Sequence, residues 1–234
     1  MSPTSLSSLS PRAPETPPPM YLRETYHWAY LNSRTLPWLD QPWVVSTILW
    51  GNARRLMQSA VDEFNPGQQV LQAAAVYGDF SQRLAARLEP QGSLEVVDVA
   101  PIQIANVRRK LAPWARSLTR VADLSLPLEK TYDGVCCFFL LHEVPPATRR
   151  AIVDNLLRSV KPGGKIVFVD YHKPRWWHPL APLMRLIFKH LEPYAPSLLQ
   201  EDIPHLSPEG ELFDWSYTRF FGGLYQKRVG IRKA

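Results

Sequence analysis

The stretch Val70-Leu71-Gln72-Ala73-Ala74-Ala75-Val76-Tyr77-Gly78-Asp79-Phe80 decides how the rest of the chain is read. Val70 to Ala75 is a short apolar run that predicts a strand, and Phe80 to Leu88 carries apolar residues at helical spacing. A strand, a tight loop and a helix in close succession open an alternating βα domain. Outward from that unit the alternation continues. Ser93 to Val97 predicts a second strand ending at Asp98, Ile102 to Leu111 a helix, Ser117 to Ala122 a third strand ending at Asp123, and Tyr132 to Leu140 a fourth strand of wholly buried texture. Thr148 to Val160 predicts a helix stopped by Lys161-Pro162-Gly163-Gly164-Lys165, and Ile166 to Tyr171 a fifth strand. Phe213 to Tyr217 and Gly223 to Ile231 read as closing strands.

The 234 residues suit one α/β domain with an appendage. Residues 1–20 are rich in Ser and Pro, with too few apolar side chains to offset the entropy of ordering, and predict a disordered tail. Residues 21–66 place Trp28, Trp38, Trp43 and Trp50 around two helices separated by breaks at Pro37 and Pro42, a helical lid or accessory segment. Residues 67–234 form the main domain, with an amphipathic insertion at about 173–212. A net charge of +6 with no unbroken basic run and no zinc-finger spacing argues against nucleic acid as the partner. The only cysteines, Cys136 and Cys137, point to opposite faces of a strand, so neither a disulfide nor a metal pair is expected and a reducing cytoplasm is the simplest setting. No apolar run is long enough to span a bilayer and no secretory signal pattern is seen, so the chain is expected to be soluble or peripheral.

Each polar candidate falls at the carboxyl end of a strand, where open α/β sheets bind ligands. Asp98 lies about one βα unit after the first loop, where a carboxylate can accept two ribose hydroxyls. Asp123 follows the third strand and Leu140-Leu141-His142-Glu143 the fourth. The plainer reading of each carboxylate is a solvated group at a strand end.

In this order and spacing, with Lys161-Pro162-Gly163-Gly164 before the fifth strand, the chain resembles class I S-adenosylmethionine methyltransferases, closest to the ubiquinone-biosynthesis group, over roughly Gln69 to Tyr171. The resemblance implies a Rossmann-like fold: a mainly parallel seven-stranded sheet with helices on both faces, an N-terminal helical lid and an inserted amphipathic helix. It also implies that Asp98 and Val99 hold the ribose of the cofactor. Asp123 would meet the adenine amine with Leu124 against the ring, and Leu140, Leu141, His142 and Glu143 would face cofactor and substrate. The departure lies in the first loop. That family has an acidic residue followed by Gly-x-Gly-x-Gly, because glycines accept positive φ and let the backbone approach the cofactor. Here Gln72, Ala74 and Val76 occupy the acidic place and the first two glycine places, and only Gly78 remains. Either the cofactor site is dead and kept as a scaffold, or S-adenosylmethionine sits differently and donates something other than its methyl group.

The loop from Ala74 to Asp79, the aromatic lid and the Trp176-Trp177 insertion are similar to the rhodoquinone-biosynthesis methyltransferase-like proteins. That resemblance implies conversion of ubiquinone to rhodoquinone, a ring methoxy group being replaced by an amine for anaerobic respiration, with S-adenosylmethionine as amino donor and manganese (Mn2+) assisting. Gln72, Ala74, Tyr77, Gly78 and Asp79 would then meet the amino-acid end of the cofactor. Manganese takes carboxylate, imidazole and water ligands, and Asp79, His142, Glu143, Asp170 and His172 are the candidates. His142, Asp170, His172 and Tyr77 are the candidate catalytic residues. His172 reads equally as a capping or buried-edge histidine, Glu143 as a cap for the helix after Pro145, and Tyr77 as a filler for the missing glycines. Two other functions stay open: an ordinary methyltransferase acting on a quinone or small aromatic, and a non-catalytic scaffold in quinone biosynthesis.

Ubiquinone is lodged in the bilayer, so the enzyme has to reach the membrane surface. Trp176, Trp177, Leu183, Leu186, Ile187 and Phe188, flanked by Arg175, Arg185 and Lys189, have the composition of an interfacial helix. The expectation is a cytoplasmic protein peripherally associated with the inner membrane, with a quinone-biosynthesis complex or a second copy as further partners. The alternative is that this stripe is only the lid of the core.

Overall fold

The computed structural model describes residues 19–20 and 35–234. The expected tail over residues 1–18 and the first part of the lid, residues 21–34, lie outside the described residues. The lid continues through three helices, α1 (Leu36–Leu39), α2 (Pro42–Ile48) and α3 (Ala53–Val61). Pro37 and Pro42 sit in the first turns of α1 and α2, so they start these helices rather than break a longer one. Proline lacks only an N–H that has no partner in a first turn. Helix α3 buries Ala53, Leu56, Met57, Ala60 and Val61 and exposes Arg54 and Arg55, an apolar stripe at helical spacing.

The core then alternates β1 (Gln69–Ala73), α4 (Phe80–Leu88), β2 (Ser93–Asp98), α5 (Pro101–Lys110), β3 (Ser117–Val121), β4 (Tyr132–Phe138), α6 (Pro146–Arg158) and β5 (Val160–Tyr171). After it come α7 (Ala181–His190), α8 (Ala195–Leu198), β6 (Phe213–Phe220) and β7 (Tyr225–Arg232). The sheet has seven strands in the order β3-β2-β1-β4-β5-β7-β6, as expected of the Rossmann-like fold. Strands β1 to β5 run parallel, and β7 is antiparallel to both β5 and β6. The reversal at Phe221–Gly223 needs Gly222 at φ 59°, where a Cβ would come within 2.4 Å of the His178 ring.

The Pro-Gly-Gly punctuation does not precede β5 but lies inside it. Tyr132 pairs with Val160 and Gly134 with Lys165, so Lys161 to Gly164 bulge out of the ladder, with Gly163 at φ 73°. Strand residues alternate between two cores. Val70, Cys136, Val167 and Val169 pack on one face with α3, α4 and the inner side of α7, whereas Leu71, Ala73, Cys137, Ile166 and Phe168 pack on the other with α6. Cys136 and Cys137 are accordingly free and on opposite faces, and burial pushes both thiols far up from their ordinary value. The strand order reverses between β1 and β4, which opens a crevice at their carboxyl ends. No described helix is long and apolar enough to cross a membrane.

Candidate functional site

A cleft open to solvent occupies that crevice. Its floor is the loop Ala74 to Tyr77, Asp98 to Ala100, Ala122 to Leu124 and Phe138 to Leu140, and its rim includes His142, Glu143, Glu192 and, from the lid, Val45, Ile48 and Leu49.

The first loop keeps a glycine-like path without glycines. Ala74 has φ 68°, a left-handed conformation that costs an L residue about 1 kcal/mol. Gln72 is fully buried beneath it. Its Nε2 donates to the Ala74 carbonyl at 2.9 Å, and its Oε1 has no hydrogen-bond partner. The far end of the loop is tied to the lid. The Gly78 N–H donates to Asp40 Oδ1 at 2.9 Å, Asn106 Nδ2 donates to Asp40 Oδ2 at 3.0 Å, and Lys110 Nζ donates to both Asp40 Oδ1 and the Gly78 carbonyl.

Asp98 closes the other side of the loop. One oxygen accepts from the Ala75 N–H at 2.8 Å and the other from the Ala100 N–H at 2.7 Å. Burial raises its pKa to about 6 even though these backbone N–H groups, with that of Val99, favour the charged form. With three N–H groups on the roughly four lone-pair sites of the carboxylate, a site stays open for a ribose hydroxyl. Asp123 lines the cleft with one oxygen accepting from the Ser125 N–H at 2.8 Å, and Leu124 lies beside it. Tyr77 OH accepts from Gln103 Nε2 at 2.9 Å, and burial lifts its pKa well above the ordinary value, so it stays protonated.

At the end of β4, Phe139 takes φ 53° and turns the chain into a short 3-10 segment, Leu141–Glu143. His142 is buried there with Nδ1 2.8 Å from Asp170 Oδ1. Asp170 also accepts from the Leu141 and Tyr171 N–H groups at 2.9 and 2.7 Å. His142 Nε2 lies 3.7 Å from Glu143 and 3.9 Å from Glu192. Burial disfavours the imidazolium, but Asp170, Glu192 and Glu143 outweigh it and push the pKa up to about 9. Beneath this segment lies Arg149, wholly buried, donating to the carbonyls of Leu141, Val144 and Tyr194 and to Ser197 Oγ, and paired with Glu201.

Of the residues expected from sequence to meet the cofactor, Ala74, Tyr77, Asp98, Val99, Asp123, Leu124 and Leu140 line the cleft. Gln72, Gly78, Asp79 and Leu141 do not; they support its walls from behind. Glu143 faces the cleft and does not cap α6, whose N-cap position is Pro145. The expected five-residue metal set is not assembled. Asp79 pairs with Arg83 at 2.7 Å, and His172 has Nδ1 3.1 Å from the Gly223 carbonyl and Nε2 2.9 Å from Tyr217 OH, outside the cleft. Both Asp170 oxygens are taken by His142 and backbone N–H groups, and among the described residues no group of three or more His, Cys, Asp or Glu side chains is arranged to hold a metal. Manganese therefore does not fit the donor set inferred from sequence. Asp40, Arg149 and Glu192 escaped sequence reasoning, because each acts across 38 or more residues of chain or from an irregular segment.

The donor chemistry of the cleft fits the adenosine half of S-adenosylmethionine: a buried carboxylate with an acceptor site left open, a second carboxylate and an apolar neighbour for a ring. A profile of the methyltransferase domain matches residues 70–164. A demethylmenaquinone methyltransferase of Symbiobacterium thermophilum is 29% identical over 121 residues, covering 49% of this chain and 47% of that protein, so the chain spans about half of it. Among solved structures, an O-methyltransferase family protein from Burkholderia thailandensis superposes with a TM-score of 0.66 at 15% identity, over 87% of this chain and 61% of that one, a likeness of fold. An uncharacterised methyltransferase of Synechocystis is 30% identical over 157 residues, covering 62% of this chain and 72% of that protein. The span of that profile takes in β1 to β4 and the loops that floor the cleft, and with the Synechocystis likeness it shows that the chain belongs to the class I S-adenosylmethionine-dependent methyltransferase family.

Proposed function

We propose that the chain converts ubiquinone to rhodoquinone, a ring methoxy group being exchanged for an amine. The observation that carries this reading is the asymmetry of the cleft. Asp98, Asp123 and Leu124 equip the adenosine end, while Gln72, Ala74 and Val76 stand where methyl donors of this family have an acid and two glycines. S-adenosylmethionine, when bound, supplies the nitrogen. Gln72, buried beneath the loop, puts no carboxylate there to hold an amine in its ammonium form, which leaves the nitrogen lone pair available.

The ring has to be polarised for conjugate addition, and His142 is placed for this. With Nδ1 fixed by Asp170 and the ring charged at neutral pH, its Nε2–H can donate to a quinone carbonyl in the cleft. Glu143 and Glu192 flank that nitrogen and can take the proton the incoming amine releases. As the ring C–N bond forms and the C–O bond breaks, the methoxy group leaves as methanol with a proton from His142. The ring would then take up two electrons as the donor's Cα loses its proton and the C–N link becomes an imine, and water would hydrolyse that imine to the amino-substituted quinol and the 2-oxo acid of the donor.

The likeness to a demethylmenaquinone methyltransferase supports a quinone as the substrate class and favours a second reading, methyl transfer to a quinone ring carbon. Purified protein is given a short-tail ubiquinone and S-adenosylmethionine labelled separately in its nitrogen and its methyl, with and without manganese, and the quinone is weighed. Gain of labelled nitrogen with loss of methoxy is expected. Gain of labelled methyl would replace the proposal by the second reading, and an unchanged quinone under both conditions would make the chain a scaffold.

A further inference from the structure

Two segments border the cleft, α2 through Ile48 in its lining and α7 through Phe188, whose ring lies 5.1 Å from that of the cleft residue Tyr171, and both leave large apolar side chains in water. Helix α7 buries Met184 and Phe188 against the core, yet Leu183 and Leu186 on its outer side are exposed. Ahead of it, Trp176 is 93% exposed and Trp177 52%. Across the mouth, α2 exposes Trp43 and Ile48, with Trp38 packed edge-on to Trp43 at 5.9 Å. Ile48 lines the cleft while half exposed, and Glu192, just past α7, lines it too. An apolar path thus runs from the exposed surface into the cavity.

The charge that these two stretches of chain carry is of one sign. Between Asp170 and Glu192 the chain has no acidic residue, while Lys173, Arg175, Arg185 and Lys189 are exposed. Between Asp40 and Asp62 there is again none, and Arg54 and Arg55 are exposed. The Arg175 guanidinium lies 5.7 Å from the Trp177 ring centre, so the cation and the indole project together. A helix that is apolar on two sides, with tryptophans ahead of it and Arg185 and Lys189 as the charges along it, matches the surface of an anionic bilayer: acyl chains for the Leu side chains, the headgroup level for the indoles and acidic phosphates for the cations. A protein partner of that area would be expected to meet some carboxylates.

We propose that these two acid-free flanks form a docking surface for an anionic lipid bilayer, which seats the cleft mouth on the membrane so that a lipid-borne substrate enters past Ile48. The surface stands independently of which group the enzyme transfers.

The full chain is floated with vesicles of phosphatidylglycerol and phosphatidylcholine in equal parts, and with phosphatidylcholine alone, at low and high salt, without quinone or S-adenosylmethionine. Binding to the anionic vesicles at low salt, weakened by salt and absent with the neutral ones, is expected. The pair Trp176→Ser, Trp177→Ser and the pair Arg185→Glu, Lys189→Glu should each lower the partition coefficient about tenfold or more, with unfolding temperatures unchanged because all four side chains are exposed. No binding to anionic vesicles at low salt overturns the proposal, as does binding that these pairs leave unaltered. A dimer in sedimentation that Leu183→Gln, Leu186→Gln dissociates, with no vesicle binding, would assign the face to a second copy instead. Because no turnover is read, failure here is distinct from failure of the quinone chemistry.

Discussion

Lys110 Nζ lies 2.7 Å from Asp40 Oδ1, and the same ammonium donates to the Gly78 carbonyl at 2.7 Å. Both charged side chains are only 9% exposed. The lid is therefore fastened to the end of the rewritten loop by a buried ion pair, and removing one partner leaves the other charge unpaired in a dry site. Asp40→Asn or Lys110→Met should lower stability by about 3 kcal/mol in urea unfolding. S-adenosylmethionine binding should weaken with it in calorimetry, since the loop loses its fixed end. An unchanged urea midpoint would show that the lid is held elsewhere.

Ala74 at φ 68° carries backbone strain that glycine does not feel. Ala74→Gly should raise stability by up to about 1 kcal/mol, and Ala74→Val should lower it by more, because a β-branched side chain tolerates that conformation worst. Thermal unfolding of the two variants checks the order.

The charge state of His142 sets a pH window. Its folded pKa of about 9 is above the ordinary 6.5, so the folded chain holds the proton more tightly than the unfolded one. The stabilisation is present in full below pH 6.5 and is lost as pH rises through about 9. Urea midpoints should fall across that interval in the parent and fall less in His142→Gln. Turnover should decline on the same limb if the imidazolium is the acid.

Asp98 titrates lower. Its folded pKa of about 6 is above 3.8, so its contribution to stability is present below pH 3.8 and lost as pH rises through about 6. Ribose hydroxyls need the carboxylate, so S-adenosylmethionine affinity should rise through the same pH, and Asp98→Asn should abolish that rise. A titration of the dissociation constant against pH decides it.

Arg149 joins the His142 segment to the insertion through the Leu141, Val144 and Tyr194 carbonyls. Arg149→Met should cost about 4 kcal/mol, because three carbonyls lose their donor within a packed region. A loss under 1 kcal/mol in urea unfolding would mean that water or a rearranged neighbour replaces the guanidinium.

The alternation of strand and helix was legible because apolar periodicity is local: Phe80–Leu88 and Ser93–Asp98 fall where their patterns place them. Asp98, Asp123 and the segment after β4 were legible for a related reason, since a parallel sheet presents its strand ends to ligand. Contacts that span the chain were not. Nothing near Asp40 marks it as the partner of Lys110, 70 residues away, and nothing in Arg149 shows that a helix residue will be wholly buried. His172 and Asp79 misled because a polar residue beside a strand end can turn either way. His172 turns toward Tyr217 of the neighbouring antiparallel pair, and Asp79 turns back to Arg83 one helical turn on. The Pro-Gly-Gly run misled in a smaller way, as a bulge and a turn share the same residues.

Two of the backbone N–H groups held by Asp98 have a consequence for recognition. Ala75 belongs to the loop after β1 and Ala100 to the segment leading into α5, so one carboxylate sets the spacing of two walls before any ligand arrives. A nucleoside entering there meets acceptors already oriented, and little of its affinity is lost to ordering the protein. Discrimination at this end should therefore be rigid, rejecting a deoxyribose analogue through an unsatisfied carboxylate rather than adapting to it.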